Sequence, residues 1–517
     1  MKNKLTAMMN PMRMKLACLA TFAMAMTAAH LTAQVFTTLH SFTAIPYRTE
    51  TNSDGARPDS LILSGNTLYG TAESGGNGAG TVFRVNTAGT GFTNLYSFTG
   101  GSDGAIPGGL LLSGNTLYGT AEYGGTSDTD SGTVFAVTTD GSGFTNLHSF
   151  TALDAATGTI NSDGANPQAG LILSGNTLYG TAVYGGSSGN GTVFALNTDG
   201  TRFTNLYTFT EGQMNYQYNT ITNSDGAYPT AGLILSGNTL YGTASSGGSS
   251  GFGTVFRINT DGTGFTTLHS FTASPYGTNS DGAYPDAGLI LSGNTLYGTA
   301  RECGSSGSGT VFALNTDGTG FTTLHSFTGG KDGSGPKGLI LSGNTLYGTT
   351  DGGGSMSGTT ANWESGTVFA VKTDGTDFTT LNYFPSIGFI MGIIYGSEGG
   401  NPHGLVLSGN TLYGMADTGA DTSGLGGSLG SGLVFSLSFP PQLALIPSSP
   451  YVILTWPTNY AGFDYSGFTL QSTTNLGSSA VWTTNSSPPV VIGGENVVIN
   501  TTTSGKQQFY RLSQGLP

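Results

Sequence analysis

Gly170-Leu171-Ile172-Leu173-Ser174-Gly175-Asn176-Thr177-Leu178-Tyr179-Gly180-Thr181-Ala182 is the stretch on which the fold turns. Two short apolar runs flank Ser-Gly-Asn, whose Gly and Asn tolerate positive φ, so the stretch reads as a tight β-hairpin. Nearly the same words recur around Asn66, Asn115, Asn238, Asn294, Asn344 and Asn410, at spacings of 49 to 66 residues. A second segment, Gly-Thr-Val-Phe, begins at Gly80, Gly132, Gly191, Gly253, Gly309 and Gly366, and returns as Gly-Leu-Val-Phe at Gly432. A third, Phe-Thr-x-Leu-His/Tyr-Ser-Phe with small changes, begins at Phe36, Phe92, Phe144, Phe203, Phe265, Phe321 and Phe378. Within one unit Thr192 to Leu196 meets Phe203 to Phe209 through Asn197-Thr198-Asp199-Gly200, and Asp-Gly is a strong hairpin signal.

Each unit is therefore four antiparallel strands, and seven such units predict an all-β, seven-bladed β-propeller. A parallel β-helix would have shorter coils and no pair of hairpin turns in each period. The order of segments supports the propeller. The chain begins with an unaccompanied third segment, Phe36 to Phe42, and the last unit stops after Phe435-Ser436-Leu437 without one. An N-terminal strand that closes the last blade makes the count even and leaves no sheet edge open.

The long motif Asp-Gly-x-x-Pro…Gly-Leu-x-Leu-Ser-Gly-Asn-Thr-Leu-Tyr-Gly-Thr…Gly-Gly…Gly-Thr-Val-Phe resembles the GloVer (Gloeo_Verruco) tandem repeat of secreted bacterial proteins. The resemblance covers roughly residues 34–440 and implies an extracytoplasmic location, but brings no catalytic activity with it. Family members often end in a sorting tail; here the sequence closes on Tyr510-Arg511-Leu512-Ser513-Gln514-Gly515-Leu516-Pro517, with no apolar helix.

Composition agrees with short strands and tight turns. The chain has 517 residues, 86 of them Gly, and only 9% are charged. Glycine without a three-residue period excludes collagen, and 28 Phe with 23 Tyr exclude a disordered spacer. Lys2, Lys4, Arg13 and Lys15 precede and flank the uncharged run Leu16 to Ala29, so residues 1–33 read as a signal peptide cleaved after Ala33. No transmembrane segment is expected once it is removed. Removal leaves 11 basic against 29 acidic residues, a net charge of −18, which argues against a nucleic-acid partner. It also leaves Cys303 without a disulfide partner.

Pro440-Pro441 ends the periodicity. Residues 441–517 carry about seven short apolar runs, Leu443 to Ile446, Tyr451 to Trp456, Phe468 to Gln471, Ala480 to Thr483, Val490 to Ile492, Val497 to Asn500 and Gln508 to Leu512. They predict a small immunoglobulin- or fibronectin-like β-sandwich.

The most regular polar feature is an acid before glycine in each interblade loop: Asp54, Asp103, Asp163, Asp225, Asp281, Asp332 and Glu398. These are expected to ring one end of the propeller, each carboxylate accepting hydrogen bonds in its own turn, with Asn an adequate replacement. A cation site is the alternative. His40, His148, His269 and His325 share one position with Tyr96, Tyr207 and Asn382, and are expected to be structural. Asp128-Thr129-Asp130-Ser131-Gly132 resembles the start of a calcium loop but lacks the acid at its twelfth position. The Gly-x-Ser-x-Gly matches at Gly185, Gly247 and Gly426 lack the strand-to-helix turn and His base that a hydrolase elbow needs. Insertions fall in the interblade loops and the Gly-rich loops between second and third strands, on one face. They bring Tyr216, Tyr218, Tyr228, Tyr284, Trp363 and Tyr395, the ligand-face candidates, with Tyr47, Met214 and Tyr276, and the polar Glu122, Arg301, Glu302, Asp351, Asp417 and Asp421. Aromatic platforms among acids suit a polysaccharide or a surface protein. The expectation is an exported, monomeric, non-enzymatic binding protein without a cofactor. A carbohydrate-active hydrolase or lyase and a structural surface component are the alternatives.

Overall fold

The computed structural model describes residues 34–514 except 46–50, 127–129, 275, 355–365, 385–387, 391–392, 396–398, 419–430, 449–450, 475, 477–479, 486–487 and 502–506. Residues 1–33, expected to be a signal peptide, and Tyr47, Asp128, Trp363, Glu398 and Asp421 thus lie outside the described residues. Among the described residues the chain is all β, and no helix is long and apolar enough to cross a membrane. Phe36–Leu437 forms one compact unit, and Ser438–Pro517 falls in another.

The first unit carries four-stranded antiparallel sheets, one for each repeat. In the first, Ala56–Ser64, Thr67–Ser74, Thr81–Asn86 and Thr93–Ser97 follow one another in sequence and in space. The seventh differs in the origin of its outer strand. Gly400–Ser408, Thr411–Thr418 and Leu433–Ser438 are completed by Val35–Ser41, and Phe42 N donates to Gly432 O at 3.0 Å beyond that strand.

The repeated words have steric reasons. Each third strand is covered on both faces; Thr192–Asn197 is buried for five residues in succession. Gly180 pairs with Phe194 on that strand, and a Cβ on Gly180 would stand 2.6 Å from the Phe194 ring. Only glycine leaves room for the aromatic, which is why Tyr-Gly-Thr and Gly-Thr-Val-Phe recur together. Cores form between consecutive sheets, as where Leu95 and Phe98 of the first meet Leu110, Leu117 and Phe135 of the second. One such core joins Leu39, Phe42, Met415 and Val434 of the seventh sheet to Leu61, Leu68 and Phe83 of the first. Each fully buried Phe contributes about 1.5–3 kcal/mol relative to exposure.

The histidine position also links sheets. His40 stacks on Phe92 at 3.6 Å, Tyr96 on Phe144 at 3.9 Å and His148 on Phe203 at 3.8 Å. Tyr207, His269 and His325 repeat the contact with Phe265, Phe321 and Phe378. Asn382 stands where the seventh aromatic would be, and Phe36 packs on Phe384 and Phe435 instead.

In the second unit Ala444–Ser448, Tyr451–Pro457, Glu495–Thr501 and Val490–Ile492 make one antiparallel sheet. Thr483–Thr484, Phe468–Thr473 and Phe509–Gln514 make another, so the strand expected over Ala480 to Thr483 is shorter and begins later. Val452, Leu454, Trp456 and Val498 pack with Leu470, Tyr510 and Leu512, a core drawn from both sheets. Arg511 covers the Trp482 ring at 4.3 Å.

Candidate functional site

The six described loop acids are bonded into the scaffold. Asp54 accepts from Thr43 N at 3.1 Å and from the Thr43 hydroxyl, and His40 Nε2 lies 3.0 Å away. Asp103 accepts from Tyr96 OH at 3.0 Å, Thr99 N at 2.9 Å and Thr99 Oγ1 at 2.6 Å. Asp163, Asp225, Asp281 and Asp332 repeat the pattern with Thr151, Thr210, Thr272 and Thr328. Each acid thus ties the outer strand of one sheet to the start of the next. Burial pushes the Asp54 carboxyl upward, but the bonds from His40 and Thr43 outweigh it and hold the group below its ordinary range. Asp163 and Asp281 behave alike, through His148 with Thr151 and His269 with Thr272.

The turn itself is closed by another residue. Asn52 Oδ1 accepts from Gly55 N and Gly76 N, while its Nδ2 donates to the Thr43 and Gly55 carbonyls. Asn161, Asn223 and Asn279 do the same. The acids therefore bridge sheets, and none of the six lines the cavity described below. Among the described residues no three His, Cys, Asp or Glu side chains come together as a metal site. Asp130, from the calcium-like stretch, is exposed.

The ligand-face tyrosines divide. Tyr216, at the tip of the hairpin Gln213–Asn215/Thr220–Thr222, is 91% exposed, and Tyr276 is 92% exposed. Tyr218 and Tyr284 instead pack on Phe252 at 5.8 and 5.7 Å, and Tyr228 packs on Tyr184 at 5.4 Å. Tyr395 belongs to a short hairpin with Gly388–Ile390.

A cavity of about 710 Å³ is shared by all the repeat sheets, within the about 300–1,000 Å³ usual for small-molecule sites. Its geometry starts from the fourth residue of each Asp-Gly-Ala-x-Pro motif. Arg57, Ile106, Asn166, Tyr228, Tyr284 and Asn401 hold φ between 53° and 58° there, a region that costs non-glycine residues free energy. The N–H of Arg57 is held by Ser431 O at 2.8 Å and that of Tyr284 by Phe252 O at 2.9 Å, each from the preceding sheet. The chain then crosses the proline and, in the first, second, sixth and seventh sheets, a register shift, between Pro58 and Leu61 in the first. Such a bulge re-aims side chains. The residue after the proline lines the cavity in every copy: Asp59, Gly108, Gln168, Thr230, Asp286, Lys337 and His403.

A second set comes from the ends of the second strands: Glu73, Glu122, Arg301 and Asp351. Glu122, Arg301, Asp351 and Asp417 were expected in loops. Glu122, Asp351 and Asp417 instead sit in the last residues of strands, and Arg301 directly follows Thr295–Ala300. Sequence reasoning missed Asp59, Glu73, Gln168, Thr230, Asp286, Lys337 and His403, because it weighed insertions rather than positions at which aligned repeats change chemistry.

The cavity carries opposed charges. Arg301 pairs with Asp351 at 3.2 Å and reaches Asp286 at 3.8 Å. Gln168 Nε2 donates to Glu122 Oε1 at 3.0 Å. His403 Nε2 lies 2.6 Å from Pro58 O, and its Nδ1 lies 2.9 Å from Asn401 O and 3.4 Å from Asp417. Burial, with the Asp59 and Asp417 charges, pushes the Glu73 carboxyl up to about 7 against the pull of Arg57 and His403. Burial raises Asp59 as well, and raises Asp286 to about 6 against the pull of Arg301. The site can supply hydrogen-bond acceptors, a proton near neutral pH, and two cationic groups.

Solved structures with a related trace are distant in sequence. A computationally designed protein, Ika8, is 16% identical over 81% of this chain and 96% of its own, with a TM-score of 0.40. The oligogalacturonate lyase of Vibrio parahaemolyticus is 8% identical over 79% of this chain and 98% of its own, with a TM-score of 0.45. The GH74 xyloglucanase of Xanthomonas campestris is 9% identical over 82% of this chain and 59% of its own, with a TM-score of 0.44. No curated protein matches the chain. The Gloeobacter/Verrucomicrobia repeat matches residues 25–223 and again 210–428, and the chain belongs to that repeat family.

Proposed function

We propose that residues 34–440 form a closed seven-bladed β-propeller that is exported and binds a glycan, without cleaving it, at the cavity on its axis and on the loop face around it. Residues 441–517 are an immunoglobulin- or fibronectin-like β-sandwich that spaces or anchors the propeller. The observation that carries the reading is the convergence of symmetry-breaking side chains on one cavity. Seven near-identical repeats offer the same surface seven times, so selectivity has to come from positions where they differ. Asp59, Gln168, Thr230, Asp286, Lys337 and His403 occupy one repeat position and share one cavity. Carboxylates, an amide and a hydroxyl suit sugar hydroxyls, and exposed Tyr216 and Tyr276 offer stacking surfaces outside it.

A second reading, a carbohydrate-active hydrolase or lyase, is favoured by one feature. Glu73, raised to about 7 beside Asp59, has the acidity of a general acid at neutral pH. One experiment separates the two. The full chain is run through gels containing neutral, amino and uronic polysaccharides, and each polysaccharide is then examined for shortened or unsaturated products. Retention without products, weakened by Gln168→Ala and Thr230→Ala, supports binding. Products abolished by Glu73→Gln replace it with the enzyme, and no retention on any polysaccharide removes the glycan reading. Mass analysis of exported protein beginning at Gln34 checks the leader.

A further inference from the structure

The charges in the shared cavity are unevenly compensated. On the fifth and sixth sheets Arg301 is engaged by Asp351 and Asp286, and Lys337 makes no ion pair among the described residues. On the first sheet Asp59 and Glu73 line the same cavity, and neither carboxylate takes a hydrogen bond or ion pair from another described residue. His403, whose charge acts on both acids, turns Nε2 to Pro58 O and Nδ1 to Asn401 O and the Asp417 carboxylate. Both side chains are half-buried in the cavity wall, where a carboxylate without a partner is disfavoured, and a ligand cation relieves that cost.

We propose that the first-sheet side of the cavity seats a primary ammonium on the glycan, so that the ligand is an oligosaccharide containing a free-amine sugar. The ammonium donates to the Asp59 and Glu73 carboxylates, and Lys337, on the sixth sheet with its charge acting on Asp59, repels it. This rests on the glycan-binding reading above. Glu73 faces Asp59, Asp417, Arg57 and His403, and Asp59 faces His403, Asp417, Lys337 and Glu122. Because burial and the neighbouring acids raise Glu73 to about 7, binding of a cation at pH 6 expels a proton from it.

The test is calorimetric titration of the full chain at pH 6.0 with a glucosamine hexamer, its N-acetylated counterpart and a galacturonate oligomer. Two buffers of different ionisation heat report proton release. The free-amine hexamer should bind about tenfold more tightly than the N-acetylated one, with proton release. Glu73→Gln or Asp59→Asn should abolish that preference, with folding checked by thermal melting. Lys337→Met should tighten amine binding, which an unfolded variant cannot imitate. Asp199→Asn, on a remote hairpin, should change nothing; an equal loss there would mean general attraction of a polycation to an acidic protein and overturn the proposal. Equal binding of both hexamers, or tighter binding of galacturonate, also overturns it. Binding of the N-acetylated hexamer that Gln168→Ala weakens would leave the glycan reading standing without the ammonium. Failure of every sugar in the gels removes both.

Discussion

Asp225 is bonded on three sides, by Tyr207 OH at 2.8 Å, Thr210 N at 2.8 Å and the Thr210 hydroxyl. All three donate to the carboxylate; an amide in its place keeps them only by turning its N–H onto the Thr210 hydroxyl, which must then accept, and loses the charge that strengthens each bond. Asp225→Asn is therefore expected to cost about 1–2 kcal/mol in denaturant unfolding, where a turn closed by this residue would have lost almost nothing. Acid titration exposes the same device. Asp54, Asp163 and Asp281 lie below their ordinary value of 3.8 in the folded protein. Their contribution is complete above that value and is lost as pH falls through the depressed folded-state values. Melting temperature should drop steeply below about pH 4, and less so in an Asp54→Asn/Asp163→Asn/Asp281→Asn protein. Glu73 has the opposite sign. Its folded value of about 7 lies above the ordinary 4.5, so the folded state holds a proton that the unfolded chain releases, and stability falls as pH rises through that window. Glu73→Gln should raise stability at pH 8 by about 1–2 kcal/mol after allowance for water in the cavity, and by little at pH 4. An unchanged pH profile in this variant would mean that the carboxylate is well solvated.

At the scale of elements, strands were far easier to read than the site. Asn-Thr-Leu-Tyr-Gly-Thr and Gly-Thr-Val-Phe are constrained by packing in every copy, because Gly180 must admit Phe194, and such constraints leave a repeated trace in the sequence. The strand order that pairs Val35–Ser41 with Leu433–Ser438 was legible for the same reason. The cavity left no repeated trace. Asp59, Gln168, Thr230 and Lys337 look like variation in a loop until a positive-φ residue and a proline, with a register shift as well at Asp59 and Lys337, turn that position inward. The tyrosines were legible as loop residues, but not which of them are spent on packing. Tyr218 and Tyr284 cover Phe252, whereas Tyr216 tips a hairpin with nothing over it. Tyr216→Ala should thus leave the unfolding free energy within about 0.5 kcal/mol, while Tyr284→Ala should cost about 2 kcal/mol or more. In the polysaccharide gels only Tyr216→Ala should weaken retention without loss of fold. Equal retention by wild type and Tyr216→Ala would confine binding to the cavity.

For the whole molecule, what matters is that the first described strand completes the last sheet. Val35–Ser41 is the outer strand beside Leu433–Ser438, Leu39 and Phe42 enter the core that joins the seventh sheet to the first, and His40 and Thr43 hold Asp54. A chain beginning at Asn52 loses these contacts together. Burial of Leu39 and Phe42 alone is worth about 3–6 kcal/mol, before the backbone bonds of the strand, at about 0.5–1.5 kcal/mol each, are counted. Stabilities of whole domains are of order 5–15 kcal/mol, so the shortened chain should melt far below the full one. The loss has a second consequence that a merely weakened core would not produce. Removing the strand bares the backbone donors and acceptors of Leu433–Ser438, an edge that can pair with another chain. The shortened protein should therefore elute as oligomers in size-exclusion chromatography. A synthetic peptide spanning residues 34–51 should restore both the monomer and most of the melting temperature by taking the vacant edge. A mutant peptide with Leu39→Asp and Phe42→Asp keeps the backbone but not the core contacts, and should fail to do so. Wild-type melting and elution by the shortened chain without any peptide would sink the assignment of the N-terminal strand as the closure of the ring.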